Sequence, residues 1–245
     1  MRHTGHVSVR RSRVPPGGEA GVAAVLRSDP TPRAHHRPYR RFGVGVLVST
    51  ALVAVSWALV VRFDVSAMEE RTFRIVNDAA DVWWPVLWPA MQLGNLAAPV
   101  AVAAAMGAAL RRWRPSVAVL AAGYGAWAVA QAVKDLVARD RPEALLPDVV
   151  LREGVQGLGF VSGHAAIATA MATVVWPYLT ARGRATVVML ALMVGLGRIY
   201  AGAHLPLDVI GGAAIGVLVG LAVNAAVGLP GDTLQVLVDG EHGQQ

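Results

Sequence analysis

Six apolar stretches separated by short polar segments organise this chain. The first, Gly43 to Val61, runs 19 residues without a charge, close to the roughly 20 that a helix needs to span a bilayer. Arg62-Phe63-Asp64 ends it, and a polar stretch containing Glu69, Glu70, Arg71, Arg74 and Asp78 continues to Asp81. In Val82-Trp83-Trp84-Pro85-Val86-Leu87-Trp88-Pro89 the tryptophans suit the headgroup level, while the prolines oppose one continuous helix. A second span is expected from about Leu93 to Leu110, and a third from Ser116 to about Val137. Glu143 to Gly159 is a loop with Pro147, Gly154, Gly157 and Gly159. The fourth span runs from His164 to near Leu179, the fifth from Ala185 to about Tyr200 and the sixth from Leu207 to Val227. The fourth and fifth are short, roughly 24 Å against a hydrocarbon core of about 30 Å, so their outer ends should lie slightly below the surface.

The pattern predicts an all-α, six-helix transmembrane bundle over residues 42–228. A basic tail, 1–41, precedes it and a polar tail, 229–245, follows. The first tail has Pro15-Pro16-Gly17-Gly18 and no sustained apolar period, so it is expected to be disordered and cytoplasmic. With the first apolar run starting near Gly43, no signal peptide is expected.

Composition agrees: 55% of residues are hydrophobic and 16% charged, well outside the range of a soluble domain. The net charge of +6 is concentrated in the first 41 residues, where nine arginines face only Glu19 and Asp29. Beside a membrane span such a run is a topology signal, and no nucleic-acid partner is expected. If the N-terminus is inside, Arg111–Arg114 and Arg182/Arg184 are inside as well, whereas the first outer loop is acid-rich. Both termini are then cytoplasmic in a multi-pass cell-membrane protein. Arg141, His164 and His204 fall together on the outer face. The chain has no cysteine, which excludes disulfides and thiolate-bound metals.

Against this background the polar residues inside apolar runs call for chemistry. Lys134 is the only lysine among 22 basic residues, at a depth where a charge costs about 2.5–3.5 kcal/mol. It stands seven residues before Arg141-Pro142 and shares a face with Arg141 if the helix persists that far. An ammonium and a guanidinium together clamp phosphate oxygens; alone, the pair could equally be interfacial cations. Arg139 fits the interfacial role better, with Asp135 or Asp140 as partner. Ser162-Gly163-His164 opens an apolar helix, where a serine cap, free N–H groups and the helix dipole favour an anion. His204 and Asp208 are i,i+4, so the carboxylate can hold one imidazole nitrogen and leave the other to attack phosphorus, with Arg198 six residues earlier. Of the seven histidines, only His164 and His204 lie in the membrane body; the other five are in the tails. No carboxylate or histidine group has Zn or Mg spacing, so a metal-independent route without a cofactor is expected.

Lys134-x6-Arg141-Pro142, Ser162-Gly163-His164 and Arg198-x5-His204-x3-Asp208, in this order, resemble the phosphatidic acid phosphatase type 2 and vanadium haloperoxidase superfamily. Its motifs read KxxxxxxRP, PSGH and SRxxxxxHxxxD, and six helices fit its integral-membrane branch. The resemblance implies His204 as the nucleophile that becomes phosphohistidine, Asp208 as its orienting partner and His164 as general acid, then activator of water. Lys134, Arg141, Arg198, the Ser162 hydroxyl and the Gly163 N–H would hold the phosphoryl oxygens. Val161 stands where the family has proline and Gly197 where it has serine; Gly197 would remove a hydroxyl contact to the phosphate or the histidines.

The expected activity is hydrolysis of a membrane lipid phosphate, a phosphomonoester or polyprenyl diphosphate. Ala144-Leu145-Leu146-Pro147 would touch the lipid. Transfer of the phosphoryl group to an alcohol, and silent lipid binding, are the alternatives. The haloperoxidase branch is disfavoured because, by resemblance, its members are larger and soluble.

Overall fold

The computed structural model describes residues 36–154 and 156–228, with side chains from Phe42 onward. The tails lie largely outside these residues. Every regular element among them is helical.

Helix α1 (His36–Phe63) carries the apolar segment Phe42–Phe63 and stops at Asp64, whose φ of 55° turns the chain out of the helix. The polar stretch that follows is also a helix, which its composition concealed. In α2 (Ala67–Asn77) the Ser66 hydroxyl accepts the Glu69 N–H, Glu69 and Glu70 occupy the positive first turn, and Arg74 the last. Glu69, Phe73 and Asn77, four apart, form its buried face. Phe73 packs against Ile199 and Leu205, while Asn77 bonds Val150 in both directions and the Tyr200 carbonyl. Leu145 and Leu146 join the Phe73 cluster half-buried, so this part of the expected lipid-facing segment faces protein.

The tryptophan- and proline-rich segment forms α3 (Trp84–Met91), then a 3-10 turn (Gln92–Gly94). The Asn95 side chain accepts the N–H groups of Ala97 and Ala98 and starts α4 (Ala98–Leu110) at 76° to the preceding run. The second expected span is therefore this bent pair. Helix α5 (Trp113–Val137) leads through the four-residue α6 (Pro142–Leu145) to the loop before α7 (Gly163–Val175). Helix α8 (Ala181–Tyr200) begins four residues earlier than expected, capped by Thr180. Its early arginine is accommodated because Arg184 reaches back to the Trp176 carbonyl and lies over that ring. At 20 residues α8 is not short. Helix α9 (Pro206–Val227) closes the described chain.

Four segments are long and apolar enough to cross a membrane: Phe42–Phe63, Trp113–Leu145, Ala181–Tyr200 and Pro206–Val227. The bent pair raises the count to five, against six expected. The shortfall is α7, whose 13 residues reach only about 20 Å.

Helix α7 is nevertheless the centre of the core, packed by α5, α8 and α9. Gly212, Gly216 and Gly220 of α9 line its contact with α7. A Cβ at Gly212 would come within 2.3 Å of the Ser162 carbonyl, and one at Gly216 within 2.2 Å of the Ala166 carbonyl. Close backbone approach through small residues is how helices pack where lipid offers no hydrophobic drive. Thr169 donates to the Ala213 carbonyl and Asn224 to that of Thr173 across the same seam.

Candidate active site

Four helix ends meet at one end of this core: the C-termini of α5 and α8 and the N-termini of α7 and α9. Lys134 lies in the last turn of α5, buried, and its Nζ donates to the Leu158 carbonyl. The helix does not persist to Arg141. It stops at Val137, where Ala138 is left-handed at φ 53° and its N–H closes on the Lys134 carbonyl at 2.8 Å. Arg141 is thus delivered by a turn, as the N-cap of α6. It donates to the carbonyls of Gln156 (2.6 Å), Gly157 (2.8 Å) and Ala203 (2.8 Å). Arg198, in the last turn of α8 and buried, pairs with Glu153 at 2.6 Å. All three cations therefore grip one loop, and Glu153 is a partner the sequence did not single out.

Ser162 is fully buried as the N-cap of α7, its Oγ 3.4 Å from the Ala165 N–H and its own N–H bonded to the Asp208 carbonyl at 2.9 Å. A Cβ at Gly163 would meet only Trp127, 4.0 Å away, so packing leaves space beside this helix start. His164 is half-buried and abuts Gly94, where a Cβ would fall 2.7 Å from that of His164. Only glycine lets the 3-10 turn lie so close.

His204 is buried between α8 and α9, with its Nδ1 3.5 Å from Asp208 Oδ2 and no hydrogen bond formed. Burial, then the nearby Lys134, Arg198 and Arg141, holds its imidazole well below the ordinary histidine pKa and hence neutral. Asp208 is fully buried; Oδ2 accepts the Leu205 N–H at 2.9 Å and Oδ1 accepts Arg139 at 2.7 Å.

Arg139 departs furthest from expectation. It is not an interfacial cation paired with Asp135 or Asp140. It is buried and bonds Asp208, both oxygens of Glu69 (3.2 and 2.8 Å) and the Asp64 carbonyl. Its carboxylate partners lie about 70 residues away in either direction. The one sequence signal for Glu69 was Ser66 three residues before it, a helix start.

Both departures from the motifs have a packing context. Val161 is fully buried in the core beside Phe160. Residue 197 faces α3, where a Cβ would lie 2.5 Å from Met91 Cγ. Glycine at 197 thus allows the close approach of Met91.

The family model of the PAP2 superfamily matches residues 89–229, more than half of the chain. No curated protein matches. The crystal structure of Aquifex aeolicus LpxE is similar at 27% identity and a TM-score of 0.61, over 66% of this chain and 98% of that one. The crystal structure of a transmembrane PAP2-type phosphatidylglycerolphosphate phosphatase from Bacillus subtilis aligns at 19% identity and a TM-score of 0.64, over 74% and 94% of the two chains. At that identity the second likeness is one of fold.

Proposed function

This chain belongs to the PAP2 superfamily, and on that footing we propose that it is a multi-pass membrane lipid phosphatase acting through a phosphohistidine on a lipid phosphomonoester or polyprenyl diphosphate. The observation that carries the reading is the meeting of Lys134, Arg141, Arg198, His164 and His204 where α5, α7, α8 and α9 end. Phosphoryl transfer asks mainly for positioning and for positive charge around the equatorial oxygens. Three cations and the start of α7 supply it.

In the proposed cycle His204 Nε2 attacks phosphorus while the bond to the leaving oxygen breaks, and that oxygen takes a proton from His164. His164 then removes a proton from water. The water oxygen attacks phosphorus, the P–N bond breaks, and phosphate leaves. Neutral His204 retains the lone pair this requires. As its ring becomes cationic on phosphorylation, the 3.5 Å approach to Asp208 closes to a charge-assisted hydrogen bond. No metal or cofactor enters this cycle.

A lipid substrate is supported by an apolar groove between α4, α7 and α8, lined by Leu93, Val102, Ala168, Met171, Val187 and Val194. Ala168 lies one turn below His164, so the groove starts beside the chemistry. For the membrane arrangement we keep six crossings, termini cytoplasmic and the site outside. Helix α7 starts at the site and α8 ends there, so α7 must carry the chain to the far side despite its length.

Purified protein tested for phosphate release over phosphatidic acid, phosphatidylglycerol phosphate and polyprenyl diphosphate, with and without added alcohol, decides the reading. Phosphate release without phosphorylated alcohol supports hydrolysis; phosphorylated alcohol as the main product marks a transferase. No turnover on any lipid overturns the proposal.

A further inference from the structure

We propose that Arg139 and Glu69 are positioning residues that set the Asp208–His204 pair, a role resting on the phosphatase reading above. Asp208 has two oxygens and no exposed surface. Arg139 Nη1 fixes Oδ1 at 2.7 Å. That leaves Oδ2 turned towards the Leu205 N–H and, at 3.5 Å, the His204 ring. Without Arg139 the carboxylate keeps only the Leu205 N–H, so its orientation is less restrained and its buried charge lacks an ion-pair partner.

Glu69 acts one step further out. It holds the guanidinium through both oxygens, a fork that fixes orientation as well as distance. Its Oε1 also accepts the Leu207 N–H at 3.0 Å, pinning the backbone one residue before Asp208. The chain Glu69–Arg139–Asp208–His204 thus runs from α2, outside the core bundle, to the attacking imidazole. Glu69 and Arg139 have side-chain exposures of 3% and 1%, so water does not substitute for either.

A staple that merely tied α2 to α9 would show the same bonds, so the test must separate stability from orientation. The variants are Glu69→Gln, Arg139→Lys and Asp208→Asn, alone and in pairs, in the full chain reconstituted in lipid nanodiscs. Each is measured for kcat, KM, vanadate affinity and the 15N shifts of the His204 imidazole, assigned with His204→Gln. Glu69→Gln and Arg139→Lys should lower kcat about 10- to 100-fold, the order of loss seen when the group that orients a metal-ligating histidine is removed. KM and vanadate affinity should hardly change. In the Asp208→Asn background either substitution should cost almost nothing more, because residues acting through one group are not additive.

Fully multiplicative losses, or losses that follow thermal stability alone, overturn the proposal. Where Arg139→Lys fails to fold, Glu69→Gln carries the test, since it keeps the shape and an acceptor. If the parent turns over no lipid, the phosphatase reading falls by itself. The imidazole spectrum then decides the positioning role: a tautomer balance moved by Glu69→Gln supports it, and an unmoved one overturns it.

Discussion

Met91 occupies the space that a side chain at residue 197 would need: a Cβ there would sit 2.5 Å from Met91 Cγ and 2.8 Å from its Sδ. Restoring the serine of the family motif should therefore damage this protein. Gly197→Ser is expected to cost about 1–3 kcal/mol by overpacking, with no gain in turnover. Met91→Ala in the same chain should recover part of that loss. Thermal midpoints and kcat of the single and double variants check this, and an active, undisturbed Gly197→Ser would refute it.

Lys134 tests whether a lone lysine is a specific ligand. Its ammonium is buried and already reaches the Leu158 carbonyl, leaving little room for a longer planar fork. Lys134→Arg should lower kcat/KM by about tenfold or more, some 1.4 kcal/mol of transition-state stabilisation. Full activity would reduce Lys134 to an interfacial cation.

The two histidines should respond differently to the leaving group. General acid catalysis contributes about 10²–10⁴-fold, so His164→Ala should be severe on a lipid alcohol yet partly spared on an aryl phosphate. His204→Ala should be inactive on both. Equal losses on both substrates in His164→Ala would remove its role as acid.

For His204 the pH response has a definite sign. The folded ring titrates below the ordinary value of 6.5, whereas the unfolded chain binds a proton near that value. Stability from this group is therefore complete above about pH 6.5 and falls as acid protonates the unfolded state first. The His204 15N resonances should still report a neutral ring at pH 6, and a cationic ring there would contradict the burial argument.

Chelation and vanadate address the reaction from outside. With charge supplied by Lys134, Arg141 and Arg198, hydrolysis should survive excess chelator. Vanadate, which mimics five-coordinate phosphorus, should inhibit in competition with substrate. A requirement for Mg²⁺ restored by readdition would refute the metal-independent route.

The residues that the sequence revealed were those out of place in it. Lys134, His164, His204 and Asp208 are polar groups in apolar runs, and the structure brings them to one end of the core. Arg139 was hidden because its partners, Glu69 and Asp208, are remote in sequence and nothing local distinguishes a buried arginine from a surface one. Helix α2 was hidden because its buried face includes Glu69 and Asn77, which an apolar periodicity ignores. The bend after Gly94 turns on the Asn95 cap, α7 passes into a 3-10 turn holding Pro177, and a single left-handed Ala138 separates Lys134 from Arg141 by ending a helix that composition would continue.

The seam between α7 and α9 makes the site sensitive at a distance. Gly216 lies eight residues beyond Asp208, about 12 Å along the helix, and touches no part of the proposed chemistry. A methyl group there would strike the Ala166 carbonyl and push α9 away from α7. Separating the helices there would pull the Ser162 N–H from the backbone carbonyl of Asp208, which it reaches at 2.9 Å, and shift both residues in the site. A screen for loss of activity would then score Gly216 beside the histidines, as the fulcrum of a jaw whose teeth are elsewhere.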